Sequence, residues 1–427
     1  MIKNKLVYAV LGSLLASSTS YAKTSNLPEP EYQLEQVVTL VRHGIRPQTN
    51  LSELNEATGK QWPSWSVPDG YLTQRGYDGI FNQSQYQVSE WKKSGLPLSL
   101  SQDNCTNQSQ VFIWAAPDQR TKKTADAIAS SISPSCHIEV GVSGYKHDPI
   151  FDALKMGSAT ASFDLIKKEF KNKIESQKTI QQKYEKVNEH LRTAVCAPDS
   201  CEFLDKDWKL KLNKNGQPKL SGPADEGSNI GETIRLQYSE NFPLSQVAFG
   251  HVKSAEDVKK LMALHDAKYK YLNEIPLFAQ LGGSILYQQI LDALDSNKVT
   301  DQKLHRPLVI FVGHDTNISE VKTLLGFNWQ LPQYLANDIP PGGTLSFAKY
   351  KELKTSKDFV KISFSARTLD QWRQLTKLDT SHPLHEDTLK YPYCKITSVG
   401  VLCPLDQFIQ NAQKQIVRLD ITQPLYK

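Results

Sequence analysis

The chain has 427 residues, a formal net charge of +5, 39% apolar and 22% charged residues, enough to bury one large core or two to three smaller ones. This composition excludes a disordered or fibrous chain. It also argues against a nucleic-acid footprint, because Lys167, Lys168, Lys171 and Lys173 are interleaved with Glu169 and Glu175 as on a solvated helix face.

In chain order, residues 1–22 read as a secretory signal peptide. Lys3 and Lys5 precede an apolar run from Leu6 to Leu15, and Ser20-Tyr21-Ala22 offers small residues at the cleavage positions. The mature chain is expected to start near Lys23, in the periplasm or secreted. The apolar run is shorter than the ~18 residues of a membrane span, and no later segment is longer, so no membrane association is expected after cleavage. Export permits disulfides. Six cysteines admit many pairings; proximity favours Cys105–Cys136, Cys196–Cys201 and Cys394–Cys403. A zinc site is the weaker alternative, since no paired C-x2-C spacing occurs.

Val37, Val38, Leu40 and Val41, with Thr39 among them, predict a buried strand. It stops at Arg42-His43-Gly44, with Arg46 two residues on. Two guanidiniums and an imidazole at the end of a buried strand call for an anionic guest. Phosphate fits: Arg offers a planar fork of donors, and Gly44 would let the backbone approach a ligand closely. The following stretch, with Trp62, Trp65, Pro68, Gly70 and Tyr71, reads as a loop until Thr73 caps a helix to about Ser94. Its aromatic residues either line the mouth of a site or pack into the core.

Val111 to Ala115 predicts a second buried strand, Pro117 to Arg120 a polar turn, and Thr121 onward a helix. Arg120 therefore stands at a strand's carboxyl end and a helix's amino end, where anions are attracted. Residues 159–300 change texture, with helical spacing over 162–191, 225–239, 254–273 and 276–296 and a Gly- and Pro-rich loop over 213–224. This reads as a mainly helical domain, residues 156–299, inserted into an α/β core formed by 23–155 and 300–427. Leu308 to Val312 is the third buried run, and Gly313-His314-Asp315-Thr316-Asn317 follows it, opening a helix through Leu325. Residues 340–347 and 358–368 predict two more strands, followed by a loop-rich tail. In open α/β sheets the crevice beyond the strand carboxyl ends is where ligands bind.

Collected there, Arg42, Arg46, Arg120 and His314 can cradle the non-bridging oxygens of a phosphoryl group. His43 supplies a nitrogen nucleophile, and Asp315 is placed to protonate the leaving alkoxide and then to activate water. The arginines and His314 supply the positive charge a metal would otherwise bring, so neither metal nor cofactor is expected.

These residues also carry a resemblance. Arg42-His43-Gly44-Ile45-Arg46-Pro47-Gln48 and the distal His314-Asp315 pair are similar to the motifs of the histidine acid phosphatases, within the phosphoglycerate-mutase-like group. The likeness extends through QWPSWSVPDGYLTQRG, APDQRTKKT, LQYSENFPLSQVAFGHVKS and PPGGTLSF, essentially the whole mature chain, and points to the bacterial periplasmic branch of glucose-1-phosphatases and phytases. It implies a three-layer α/β core, a small phosphomonoester substrate, His43 as the phosphorylated nucleophile, Asp315 as proton donor, and Arg42, Arg46, Arg120 and His314 as phosphate ligands. Proline stands at 47 where the family pattern has it one residue later. Asn50 stands where the resembled phytases carry lysine, and Glu240 matches an acidic residue that narrows the glucose-1-phosphatase pocket. Both favour glucose 1-phosphate or similar sugar phosphates over inositol hexakisphosphate, although Thr316 is as in the phytases. A non-catalytic sugar-phosphate binding protein would need neither His43 nor Asp315, and a mutase acting on another sugar hydroxyl fits poorly with secretion.

Overall fold

The computed structural model describes residues 31–99, 110–134, 136, 138–295, 301–421 and 423–427. The signal peptide expected over residues 1–22 therefore lies outside the described residues, as does position 105 of the expected Cys105–Cys136 pair. Cys196–Cys201 and Cys394–Cys403 are both formed.

Strand β1 (Tyr32–Arg42) is the buried apolar run extended toward its N-terminus, and every residue from Gln36 to Arg42 is buried. It is followed by α1 (Leu51–Thr58), α2 (Gln74–Lys93), β2 (Val111–Ala115), α3 (Gln119–Ile132) and β3 (Val140–Val142). Thr73 caps α2 as expected, its side chain accepting from the Gly76 amide. Helix α1 was not anticipated. Its signal is local: the Asn50 side chain accepts from the Glu53 amide, as polar N-caps do.

The helical section begins with α4 (Ser158–Ala161), α5 (Phe163–Lys173) and α6 (Gln177–Val195). The single helix expected over 162–191 is broken because Ser176 caps a new one, accepting from Thr179. Lys173 is not on a solvated face; it donates to the Glu274 carbonyl at 2.8 Å. The loop expected over 213–224 contains half of a hairpin, β4 (Lys209–Leu212) and β5 (Pro218–Ser221). Its turn is held by the Asn213 carboxamide oxygen, which accepts from the Asn215 and Gln217 amides. Then come α7 (Pro223–Ser239), α8 (Ala255–Leu261), α9 (Ala263–Lys268), a π-helical turn over Tyr269–Asn273 and α10 (Pro276–Leu294).

The core resumes with β6 (Leu308–Gly313), α11 (Asp315–Leu325), β7 (Thr344–Glu352), β8 (Lys357–Ala366), α12 (Leu369–Arg373), β9 (His385–Thr388), β10 (Lys395–Thr397), β11 (Gly400–Pro404) and α13 (Leu405–Gln413). The sheet runs β10-β11-β8-β7-β1-β6-β2-β3, with β9 added on β8. Its half from β1 to β3 is parallel, and the other half is antiparallel. The fold is α/β, and the register decides where chemistry occurs. Arg42 lies opposite Gly313, and Val312 lies opposite both Val41 and Ala115. The three strands thus release their chains at one edge, bringing 42–46, 116–120 and 313–316 together.

Gly44 has a different duty from the one expected. A Cβ there would lie 2.8 Å from the Gly76 carbonyl oxygen and 3.0 Å from both Ile80 Cγ1 and Leu72 Cδ1, so its smallness seats α2 rather than a ligand. Gly44→Ala is expected to cost about 1–3 kcal/mol by overpacking, read as a lower denaturation midpoint. An unchanged midpoint would mean α2 moves aside freely.

Candidate active site

The end of β1 is held on both sides. The Arg42 amide donates to the Gly343 carbonyl at 2.9 Å, the His43 amide to the Gly313 carbonyl at 3.1 Å, and the Gly342 amide to the His43 carbonyl at 3.1 Å. The His43 ring is 1% exposed, and its Nδ1 lies 2.8 Å from the Gly44 carbonyl oxygen. A carbonyl can only accept, so Nδ1 carries the proton and Nε2 keeps a lone pair. Burial, then the charges of Arg120, Arg46 and Arg42, hold the imidazole's pKa well below its ordinary value. His43 is therefore a neutral base with one fixed tautomer, the state a nitrogen nucleophile requires.

A cavity of about 370 Å³ lies beyond it, lined by His43, Arg46, Arg120, His314 and Asp315 among others, a size in the range of small-ligand pockets. The structure thus gathers five of the six residues expected in the phosphate centre onto one surface. Arg42, the sixth, is fully buried behind it. Its Nη1 donates to the Ile339 carbonyl, and its Nη2 meets Glu232 at 2.5 Å and Asp315 at 2.8 Å. The Nε atoms of Arg42, Arg46 and Arg120 are all buried without a partner. Three donors left unmade around one imidazole are costly, and an anion with several oxygens would satisfy them together.

Asp118, which sequence reading left as a turn residue, sits within this cluster. It meets Arg120 at 3.1 Å and His314 Nε2 at 3.0 Å. The hydrogen bond from His314, aided by Arg120, outweighs burial and holds its carboxyl well below the usual carboxylate range. Both nitrogens of the His314 ring are thus occupied, since Nδ1 faces Arg120 Nη2 at 3.5 Å. Its backbone N–H donates to the Asn317 side chain at 3.0 Å, which fixes His314 at the start of α11.

Asp315, the first residue of α11, is joined by the Tyr269 hydroxyl from the π-helical turn. Burial pushes its carboxyl up, but the Arg42 guanidinium, with a further pull from Arg46, holds it well below the usual range. Behind Arg42 the charges continue. Glu232 pairs with Arg235, and Arg235 with Asp338 at 2.5 Å, so Asp315, Arg42, Glu232, Arg235 and Asp338 alternate in sign through the interior. Burial disfavours the Glu232 carboxylate, but Arg235 and Arg42 outweigh it and its pKa falls far below normal. The available signal was a charged pair, Glu232 and Arg235, inside a run that is otherwise fully buried from Gly231 to Ser239.

The two residues expected to set specificity are placed elsewhere. Asn50 is exposed as the cap of α1 and borders a smaller recess of about 50 Å³ with Arg46, Glu53 and Glu226. Glu240 does not narrow the cavity. It ends α7 and accepts from the Thr73 hydroxyl at 2.7 Å, and burial pushes its carboxyl up. Trp62 and Trp65 pack instead of lining the cavity, Trp62 donating to Thr58 and Trp65 lying 4.7 Å from the Phe242 ring.

Comparison with known proteins identifies the family. The chain is 30% identical over 420 residues to a glucose-1-phosphatase of Salmonella typhimurium, covering 96% of this chain and 98% of the relative. It is 29% identical over 403 residues to the phytase AppA of Escherichia coli, covering 90% and 92%. Its fold superposes on the crystal structure of the Klebsiella sp. ASR1 phytase with a TM-score of 0.84 and 32% identity, covering 90% of this chain and 96% of that one. With residues 33–365 matching the defining pattern of that family, the chain belongs to the histidine phosphatase superfamily (branch 2).

Proposed function

We propose that this protein hydrolyses phosphomonoesters in two displacements. His43 Nε2 attacks phosphorus as the P–O bond to the leaving group breaks, giving a phosphohistidine and an alkoxide that takes its proton from Asp315. The Asp315 carboxylate then removes a proton from water, whose oxygen displaces His43 from phosphorus and releases inorganic phosphate. Arg46, Arg120, Arg42 Nε and His314 neutralise the phosphoryl oxygens, with the phosphate taking the place of Asp118 on His314 and Arg120. The observation that carries this reading is the imidazole of fixed tautomer facing three guanidiniums with unpartnered Nε atoms. The signal sequence before Lys23 supports action outside the cytoplasm.

For the substrate we favour glucose 1-phosphate or a similar sugar monophosphate over inositol hexakisphosphate. Away from the arginines the cavity is walled by Phe151, Leu154, Pro218 and Phe278, with Lys155 as its one further lysine or arginine among the described residues. Extra phosphates find few partners there. A phosphate-release panel with glucose 1-phosphate, inositol hexakisphosphate and 4-nitrophenyl phosphate tests both claims: no release from any of them refutes the activity, and a preference for the hexakisphosphate refutes the substrate class.

The depressed Asp315 carboxyl sets a pH dependence. Its protonated form is the acid, and above its pKa that form shrinks by about tenfold per pH unit. Thus kcat/KM for alkyl phosphates should fall as pH rises from about 4 to about 7. Asp315→Asn should flatten this limb and lower alkyl phosphate turnover by about 10²–10⁴-fold, with a smaller loss on 4-nitrophenyl phosphate, whose anion leaves without a proton. Equal losses on both would remove Asp315 from the acid's role.

A further inference from the structure

Glu320 is 2% exposed and lines the same cavity. It lies one helical turn beyond Thr316 on α11, ~5.4 Å farther along the axis, and shares the cavity wall with Phe151, Asp152 and Phe278. Its Oε2 is buried without a hydrogen-bond partner, while Asn317 holds the carboxyl from one side. The neighbouring Asp152 is already engaged with Lys155 at 2.5 Å and His147 at 3.6 Å. Helix α10 makes room for this group: a Cβ on Gly282 would lie 2.4 Å from the Glu320 carboxyl carbon, and one on Gly283 2.9 Å from its Cβ. An unsatisfied buried polar atom costs about 1–3 kcal/mol, and a leucine of similar volume would fill the space without that cost. Packing alone therefore gives no reason for a carboxyl here.

We propose that Glu320 is a specificity-determining residue of a leaving-group subsite, where its carboxyl hydrogen-bonds a hydroxyl of an uncharged, polyhydroxylated leaving group whose carbon face rests on Phe151 and Phe278. Burial, reinforced by Asp152, holds Glu320 well above the usual carboxylate range. A carboxyl whose neutral form is favoured by burial can both donate and accept, which suits a hydroxyl. A second phosphate at this position would meet Glu320 and an Asp152 that already occupies Lys155, so the subsite also disfavours polyphosphorylated rings. The inference rests on the phosphomonoesterase reading above and adds the group that recognises the alcohol.

The test compares kcat/KM for glucose 1-phosphate with that for 4-nitrophenyl phosphate, which has no hydroxyl to offer, in the wild type, Glu320→Gln and Glu320→Leu. Glu320→Leu is expected to lower the glucose-to-aryl ratio about tenfold. Glu320→Gln, which still donates and accepts, should stay within about threefold of the wild type. Thermal midpoints of both variants establish that each is folded, and the ratio is unaffected by any uniform loss of active protein. An unchanged ratio in Glu320→Leu, or a Gln variant as impaired as the Leu variant, overturns the proposal. A wild type that hydrolyses the aryl ester but not glucose 1-phosphate overturns it while leaving the phosphatase reading intact, whereas hydrolysis of neither overturns both.

Discussion

His43→Ala is expected to lower kcat by about 10⁴-fold or more, while the protein still binds inorganic phosphate. The imidazole combines a bare lone pair with a fixed direction, because its other nitrogen is tied to the Gly44 carbonyl. Arg46 and Arg120 lose nothing when it is removed, since neither hydrogen-bonds to His43. Binding and turnover should therefore separate. Rapid quench of the wild type into alkaline denaturant during turnover of a labelled aryl phosphate should trap a base-stable, acid-labile phosphoenzyme, and the variant should give none. Substantial activity in the variant, or a wild type that never yields such an adduct, would replace the covalent route by direct attack of water.

Glu232→Leu should produce the largest loss of stability, about 3–5 kcal/mol, because it leaves two buried guanidiniums sharing fewer counter-charges than they need. Glu232 is 7% exposed and lies between Arg42 and Arg235, both of which are fully buried. Once it is gone, Arg235 keeps Asp338, and Arg42 keeps only Asp315. The consequence reaches the reaction: with Arg42 turned wholly toward Asp315, that carboxyl is held still more firmly ionised, and alkyl phosphates should suffer more than aryl ones. Chemical denaturation monitored by tryptophan fluorescence, together with the two-substrate rate ratio, measures both effects. A stability loss below about 1 kcal/mol would mean the charges are better hydrated than their burial indicates.

The strand ends and their polar sequels were legible in the sequence because each rests on a local pattern: a short β-branched run, a glycine and a charged residue that has no place in a core. That is how Arg42, His43, Arg120, His314 and Asp315 could be assigned to one crevice before any coordinates. Tyr269 and Asp338 could not, since each acts through a partner far along the chain, whereas Glu232 left a local trace in its spacing from Arg235. Glu240 shows the reverse failure. Its position matched a motif, but the side chain is spent on Thr73, and only the packing of α7 against the start of α2 decides that. The hairpin over Lys209–Ser221 was missed because its turn, built on Asn213 and Gly216, dominated the local composition and hid the two-residue alternation of Lys209 to Leu212.

The central place of β1 bears on how the molecule is made. Its neighbours in the sheet are β6 and β7, and Val37 pairs with Leu308 while Val41 pairs with Thr344, so the first strand synthesised waits for partners that arrive after more than half of the chain. Such distant pairing slows folding and prolongs the life of partly formed states. Meanwhile the strand exposes both edges and a row of branched apolar side chains, a template for association with other nascent chains. The Arg42-His43 pair travels at the end of that strand. Any fragment that stops short of β6 carries His43 but lacks the Gly313 carbonyl, His314 and Asp315, so the proposed centre is assembled only with the last third of the polypeptide.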